Sequence, residues 1–224
     1  MLRLASASPR RIELLGTLGV AFDVVPAAID ERAHASPASA KADVVTRHGA
    51  VTLAADTEVI HDGERIGKPS SDAEAVAMLA TLAGETHEVR TEVVVAAASG
   101  RRLTFAVTSR VTFRSLSLRE IERYVASGEP IDKAGAYAIQ GEGRRLVAGY
   151  EGCFANITGL PLCHAYAALR RAGVATPERP ERACQSHFAF ACPVWRSAQR
   201  QGSALSDGTE YASWSDDVSG TVAR

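Results

Sequence analysis

No run of apolar residues in this 224-residue chain approaches the roughly 20 that a membrane-spanning helix requires. Nor does the N-terminus read as a secretory signal, because Arg3, Arg10 and Arg11 bracket too short an apolar stretch. Charge of one sign is lacking too: 25 Lys and Arg against 26 Asp and Glu leave a net charge of −1. That balance excludes the basic surface of a general nucleic-acid binder and the acidic excess of a solvating tail, so the expected partner is a small molecule. Cysteine is scarce, and Cys153, Cys163, Cys184 and Cys192 show no paired CxxC spacing. No zinc site is expected, and thiols are the default for a chain whose expected location is the cytoplasm. The 46% of hydrophobic residues suits one large globular domain, or a domain with an appendage.

What the chain has is a β-α-β opening, with a short buried strand over 2–5, a helix over 9–18 and a second strand over 22–25. Between the first two lies Ser6-Ala7-Ser8-Pro9-Arg10-Arg11. Ser8 can cap the helix, and Pro9 suits its first position, where a missing N–H loses no bond. The unsatisfied N–H groups, the helix dipole and the forked donors of Arg10 and Arg11 then suit an anion. The same pattern also fits a capped surface helix with solvated arginines.

Carboxylates follow at strand ends. Asp30 and Glu31 stand just past the second strand, near the serine turn if the two strands are parallel neighbours. A weak helix over 38–48 carries Lys41, and an apolar strand over 51–55 ends in Asp56-Thr57. A carboxylate at the lip of a buried strand calls for a counter-charge or a metal, although an Asp there also serves as a turn residue. His61-Asp62-Gly63 marks a tight hairpin, and Gly67-Lys68-Pro69 holds a lysine that either points into a cleft or is solvated. Ser71 with Glu74 and Ser117 with Glu120 read as capping boxes of structural helices, and 86–98 with 101–113 as a long hairpin. The segment 132–141 mixes small residues with a carboxylate, an amine, a phenol and an amide. Such a loop lets a ligand approach the backbone, and Gln140 offers the donor and acceptor that read a nucleobase edge. Tyr137 fits that lining or the core. A strand over 144–150 and a helix over 161–171 close the domain, and 176–224 reads as a largely disordered extension whose tryptophans could dock on it.

Taken in order, Ser6 to Arg11, Asp30-Glu31, Ala55-Asp56-Thr57, Gly67-Lys68-Pro69, Asp132 to Gly141, and Asn156 with Gly159-Leu160-Pro161-Leu162 resemble the Maf family of septum-formation-inhibitor-like nucleoside triphosphate pyrophosphatases. The resemblance gives a domain over 1–175, and its wording is similar to the subgroup acting on dTTP and UTP. It implies an α/β fold with a mixed, twisted sheet flanked by helices, in two lobes around a central cleft, as in inosine triphosphate pyrophosphatases. It further implies metal-dependent cleavage of a nucleoside triphosphate between the α and β phosphates, in a protein that is often a homodimer. Asp56, Glu31 and Lys68 are then the catalytic set, Glu31 and Asp56 holding Mg²⁺ or Mn²⁺ and Asp56 orienting or deprotonating water. Ser6, Arg11, Lys41 and Lys68 would hold the polyphosphate, and Thr57 and Gln140 would select the base. Three departures stand out: the stretch from Glu31 to Asp56 is shorter than the family's, Phe154 replaces a usual tyrosine, and from Thr176 onward the chain follows no recognisable pattern. The short stretch motivates a second reading, a nucleotide-binding regulator of cell division with weak turnover.

Overall fold

The computed structural model describes residues 1–46, 49–203, 212–215 and 219–220, the last two segments by backbone alone. The apolar run Leu2–Leu4 forms β1, parallel on one side to β2 (Phe22–Val24) and on the other to β3 (Val51–His61). Helix α1 (Pro9–Gly16) makes the crossover and buries Leu14 and Leu15. From β3 the pairing turns antiparallel, through β5 (Thr86–Ala97) and β6 (Arg102–Phe113) to β7 (Val147–Glu151). The tight hairpin expected at His61-Asp62-Gly63 joins β3 to β4 (Glu64–Ile66), with Asp62 and Gly63 both at positive φ, as such a turn demands. The result is the mixed sheet expected, in the order β2-β1-β3-β5-β6-β7.

Helices α2 (Pro37–Val45), α3 (Asp72–Leu82), α4 (Leu118–Val125), α5 (Phe154–Ile157) and α6 (Leu162–Arg171) complete the domain. The capping box at Ser117 and Glu120 forms in full. At α3 only half of one forms: the Ser71 hydroxyl accepts the Glu74 N–H, while the Glu74 carboxylate turns to Ser70. Two larger apolar clusters lie at the two ends of the long strands. One gathers Leu4, Leu14, Leu53, Phe105, Leu160 and Leu169, and the other Leu79, Val111, Phe113, Ile121, Tyr137 and Tyr150. These are the two lobes. A small apolar cluster of Ala5, Ala38, Ala42, Val45, Ala54 and Val94 packs α2 on the sheet.

Three expectations need correction. The strand placed over 51–55 runs on to His61, because β5 pairs with it as far as Ile60. Asp56 and Thr57 therefore sit within a strand, in the part of β3 beyond its last partner on β1, Leu53. The helix carrying Lys41 is Pro37–Val45, capped by Ser36; the end of the range expected for it falls on 47 and 48, outside the described residues. The extension is not structureless over 180–203: α7 (Pro180–Phe188) and α8 (Trp195–Ser203) place Cys184, Val194 and Ala198 in the first core cluster or fully buried beside it. Phe188 and Phe190 stand edge-on to Phe154 with ring centroids 4.8 and 5.4 Å from it, which gives the position where a tyrosine was expected an apolar enclosure. Further on, β8 (Ala212–Ser215) lies beside β6 and β9 (Ser219–Gly220) beside β7. Among the described residues no helix is long and apolar enough to cross a membrane.

Candidate active site

The stretch of β3 that runs past β1, the turn before α1 and the segment 132–141 enclose a cavity of about 560 Å³. Ser6, Arg11, Glu31, Lys41, Asp56, Thr57, Lys68 and Gln140, separated by up to 134 positions in the chain, all line it. Its size suits a nucleotide. Arg10, whose role the sequence left open, lines it as well.

The serine turn is built around Arg11. Ser8 occupies the N-cap position of α1, but its side chain makes no capping bond; instead its N–H is donated to Ser6 Oγ at 3.2 Å. The N-terminal amides of α1 thus stay uncapped by any side chain at the cavity wall. Ser6 Oγ also accepts from Arg11 Nη1 at 3.3 Å, so its own proton is free to be donated to a bound group. Arg11 Nε donates to Gly159 O at 2.9 Å, and Nη2 to Thr57 Oγ1 at 2.9 Å. Gly159 has φ +118°, a conformation open to glycine, and this is what turns its carbonyl toward the guanidinium. Thr91 Oγ1 donates to Asn156 O at 3.1 Å, so in its 2.9 Å contact with Thr57 it must be the acceptor. The Thr57 hydroxyl is therefore occupied on both sides, by Arg11 and by Thr91. Burial lowers the Arg11 pKa from its ordinary value, and the Asp56 charge opposes that shift.

Lys41 is the centre of the charged end. From α2 its ammonium reaches Glu31 Oε1 at 2.8 Å and Asp56 Oδ1 at 2.9 Å, with its side chain only 7% exposed. Lys68, more open, reaches Glu31 Oε2 at 3.3 Å. Burial pushes the Glu31 pKa up, but the hydrogen bond and charge of Lys41, with the charge of Lys68, outweigh it and hold the carboxyl below its usual range. The α2 helix is itself latched: Ser36 Oγ accepts the Ser39 N–H and donates to Glu92 Oε2 at 2.6 Å. Glu92 faces Asp56 directly across β3 and β5.

Tyr137 satisfies both readings, since its ring lines the cavity while it is buried in the second core. Its hydroxyl meets His87 Nε2 at 2.7 Å, and its ring stands edge-on to Phe113 at 4.8 Å. Sequence reasoning missed Thr91, Glu92 and Glu129, which hold Thr57, α2 and the 138–143 segment respectively. Alternation along β5, which puts Thr91 on the face of Val89 and Val93, was the available signal for the first, and Glu92, of opposite parity, had none. For Glu129 there was none.

Residues 1–172 match the family model described as Maf-like protein. The chain belongs to this Maf-like family. Among curated Maf-like relatives, it is 52% identical over 190 residues to a protein of Myxococcus xanthus (strain DK1622) named dTTP/UTP pyrophosphatase, covering 80% of this chain and 96% of that one. A protein of Moorella thermoacetica with the same name is 50% identical over 171 residues, covering 71% of this chain and 88% of that one. A solved structure, a nucleoside-triphosphatase (dITP/XTP pyrophosphatase) from Mycobacterium abscessus, is 12% identical with a TM-score of 0.34, covering 51% of this chain and 74% of that one. So remote a likeness carries no weight for the function of this Maf-like chain.

Proposed function

We propose that this protein is a nucleoside triphosphate pyrophosphatase that hydrolyses dTTP and UTP to the monophosphate and pyrophosphate in the cytoplasm, with residues 1–175 as its catalytic domain. The observation that carries this reading is the meeting of Glu31, Lys41 and Asp56 at one end of a nucleotide-sized cavity that also holds Ser6, Arg11 and Gln140. The names of the relatives support the same chemistry.

The donor set at the charged end is two carboxylates, already converging on one cation, the Lys41 ammonium. Among the described residues no group of three or more His, Cys, Asp or Glu side chains suits a metal. Two hard oxygen donors nevertheless fit Mg²⁺ or Mn²⁺, which keep waters and take their remaining ligands from phosphate oxygens. Glu31 and Asp56 would hold such an ion, and it would neutralise charge on the phosphates. The protein's own residues do the rest. Ser6, the open amides of α1 and the guanidinium of Arg11 bind phosphate oxygens; Lys41 and Lys68 offset the charge gathering on the departing pyrophosphate. Asp56 accepts a proton from the water whose oxygen bonds to the α-phosphorus as the bond from that phosphorus to the β-bridging oxygen breaks. Because the Thr57 hydroxyl is occupied by Arg11 and Thr91, we assign Thr57 to holding Arg11 and leave base reading to Gln140 and its neighbours. The regulator reading loses its motive, since the shortened segment still delivers Lys41 on a capped helix.

The test is pyrophosphate release from dTTP, UTP, CTP and GTP with Mg²⁺. Preferential hydrolysis of dTTP and UTP is expected; binding of dTTP with no turnover of any triphosphate would overturn the reading. Asp56→Asn, which keeps the side-chain shape, should abolish turnover in a folded protein, and near-normal turnover would remove Asp56 from the chemistry.

A further inference from the structure

Ala138, Ile139, Gln140 and Gly141 form one wall of the cavity, and this wall is neither helix nor strand. A single carboxylate from the loop after α4 holds it. Glu129 Oε1 accepts the Glu142 N–H at 3.1 Å, and Oε2 accepts the Gly143 N–H at 2.9 Å and the Tyr124 hydroxyl at 2.7 Å. The same Tyr124 oxygen accepts the Ala138 N–H at 3.1 Å. One carboxylate and one phenol thus satisfy three backbone amides and pin both ends of 138–143. The fit is close: a Cβ on Gly141 would run into the Glu129 carboxylate, with its Cδ 2.7 Å away. Immediately upstream, Asp132 and Ala136 adopt φ of +77° and +58°, unfavourable for residues with a Cβ unless the surroundings impose it. Glu129 itself lines the cavity and, after Asp132, opposes the lowering of the Arg10 pKa by burial.

This clamp bears on a problem of recognition. A carboxamide presents donor and acceptor in either order after a half-turn, so the Gln140 side chain alone fits both a thymine or uracil edge and the reversed edge of cytosine. The Ala138 and Gly141 backbone groups are bonded within the protein, and the N–H and C=O groups of Ile139 and Gln140 between them, held in place, cannot reverse. We propose that Glu129, acting with Tyr124, is a positioning residue that fixes the backbone of 138–141 against the substrate base and thereby sets the preference for thymine and uracil over cytosine. This rests on the cavity being a nucleoside triphosphate site.

The experiment compares kcat/KM for dTTP and CTP in the wild type, Glu129→Gln and Tyr124→Phe, alongside Tm. Glu129→Gln puts an NH₂ where one acceptor stood and should narrow the dTTP-to-CTP ratio about tenfold, through a raised KM for dTTP with kcat nearly unchanged. Tyr124→Phe should narrow it less, in the same direction. A purely structural brace would lower Tm and leave the ratio alone; an unchanged ratio in folded variants overturns the proposal. If Glu129→Gln fails to fold, Tyr124→Phe decides. If the wild type hydrolyses no triphosphate, the reading of the cavity fails, and binding of dTTP and CTP to the same variants replaces the kinetic ratio. Amide hydrogen exchange at 138–143 tests the clamp apart from catalysis: faster exchange in Glu129→Gln supports it, and unchanged exchange overturns it.

Discussion

Replacing Lys41 with methionine removes one charge and little volume, and α2 tolerates the new residue because methionine is a good helix former. The ammonium it removes is 2.8 Å from Glu31 and 2.9 Å from Asp56. Breaking a buried ion pair by deleting one partner costs about 3–5 kcal/mol, because the remaining charge stays desolvated. Lys41 is 7% exposed and Asp56 14%, but Glu31 is 40% exposed and keeps Lys68, so the lower end applies, about 3 kcal/mol. For a chain of this length that is a fall in Tm of roughly 6–12 °C. The two carboxylates are then left facing one another, and a divalent cation becomes their best available partner. Mg²⁺ at about a hundredfold over its Kd would return about 2.7 kcal/mol. Differential scanning calorimetry of Lys41→Met and wild type, each with and without MgCl₂, reads both effects. The variant should melt lower and be raised by Mg²⁺ more than the wild type. Equal melting of the two proteins, or the same Mg²⁺ response in both, would refute the argument that Lys41 stands between the carboxylates as their counter-ion.

Acid should destabilise the fold through its histidines. Burial depresses the pKa of His87 from 6.5 to about 4, and His164 likewise. Between those values the unfolded chain binds protons that the folded chain refuses, so stability falls as pH drops from 6.5 toward 4. The loss is about 2 kcal/mol per histidine between pH 7 and pH 5, measurable by urea denaturation, and a flat profile over that range would contradict it. Ending the chain at residue 175 should expose the core faces that Cys184, Val194 and Ala198 cover and free Phe154 from Phe188 and Phe190. At about 1.5–3 kcal/mol for each large apolar side chain uncovered, the truncated protein should melt well below the full chain, and 180–203 should resist limited proteolysis as the core does; equal stability would make the extension dispensable.

The features legible in the sequence share one property: their causes are local. The turn at Ser6 to Pro9, the hairpin at Asp62-Gly63, the cap at Ser117 and the apolar alternation of β5 and β6 depend on neighbours a few residues away. Even the site was legible as a set of residue types, since Glu31, Lys41, Asp56 and Lys68 are charges beside short apolar segments, where charge is expensive without a purpose. Their roles were less so. Nothing near Thr57 in the chain shows that its hydroxyl meets Arg11 and Thr91, partners 46 and 34 positions away.

The sequence by itself determined most of the elements of the domain, the family and the list of polar groups available to a nucleotide. Only the tertiary structure decided which of those groups remain free to bind one. Arg11 is tied to Gly159 across 148 positions, Lys41 is placed between two carboxylates, and Glu129 clamps a wall it precedes by a dozen residues. The extension follows the same rule, its helices ordered by a core surface in the preceding domain rather than by a pattern of their own. Hydrogen bonds and burial depend on distance in space, and a one-dimensional pattern encodes that distance only over a turn or two of chain.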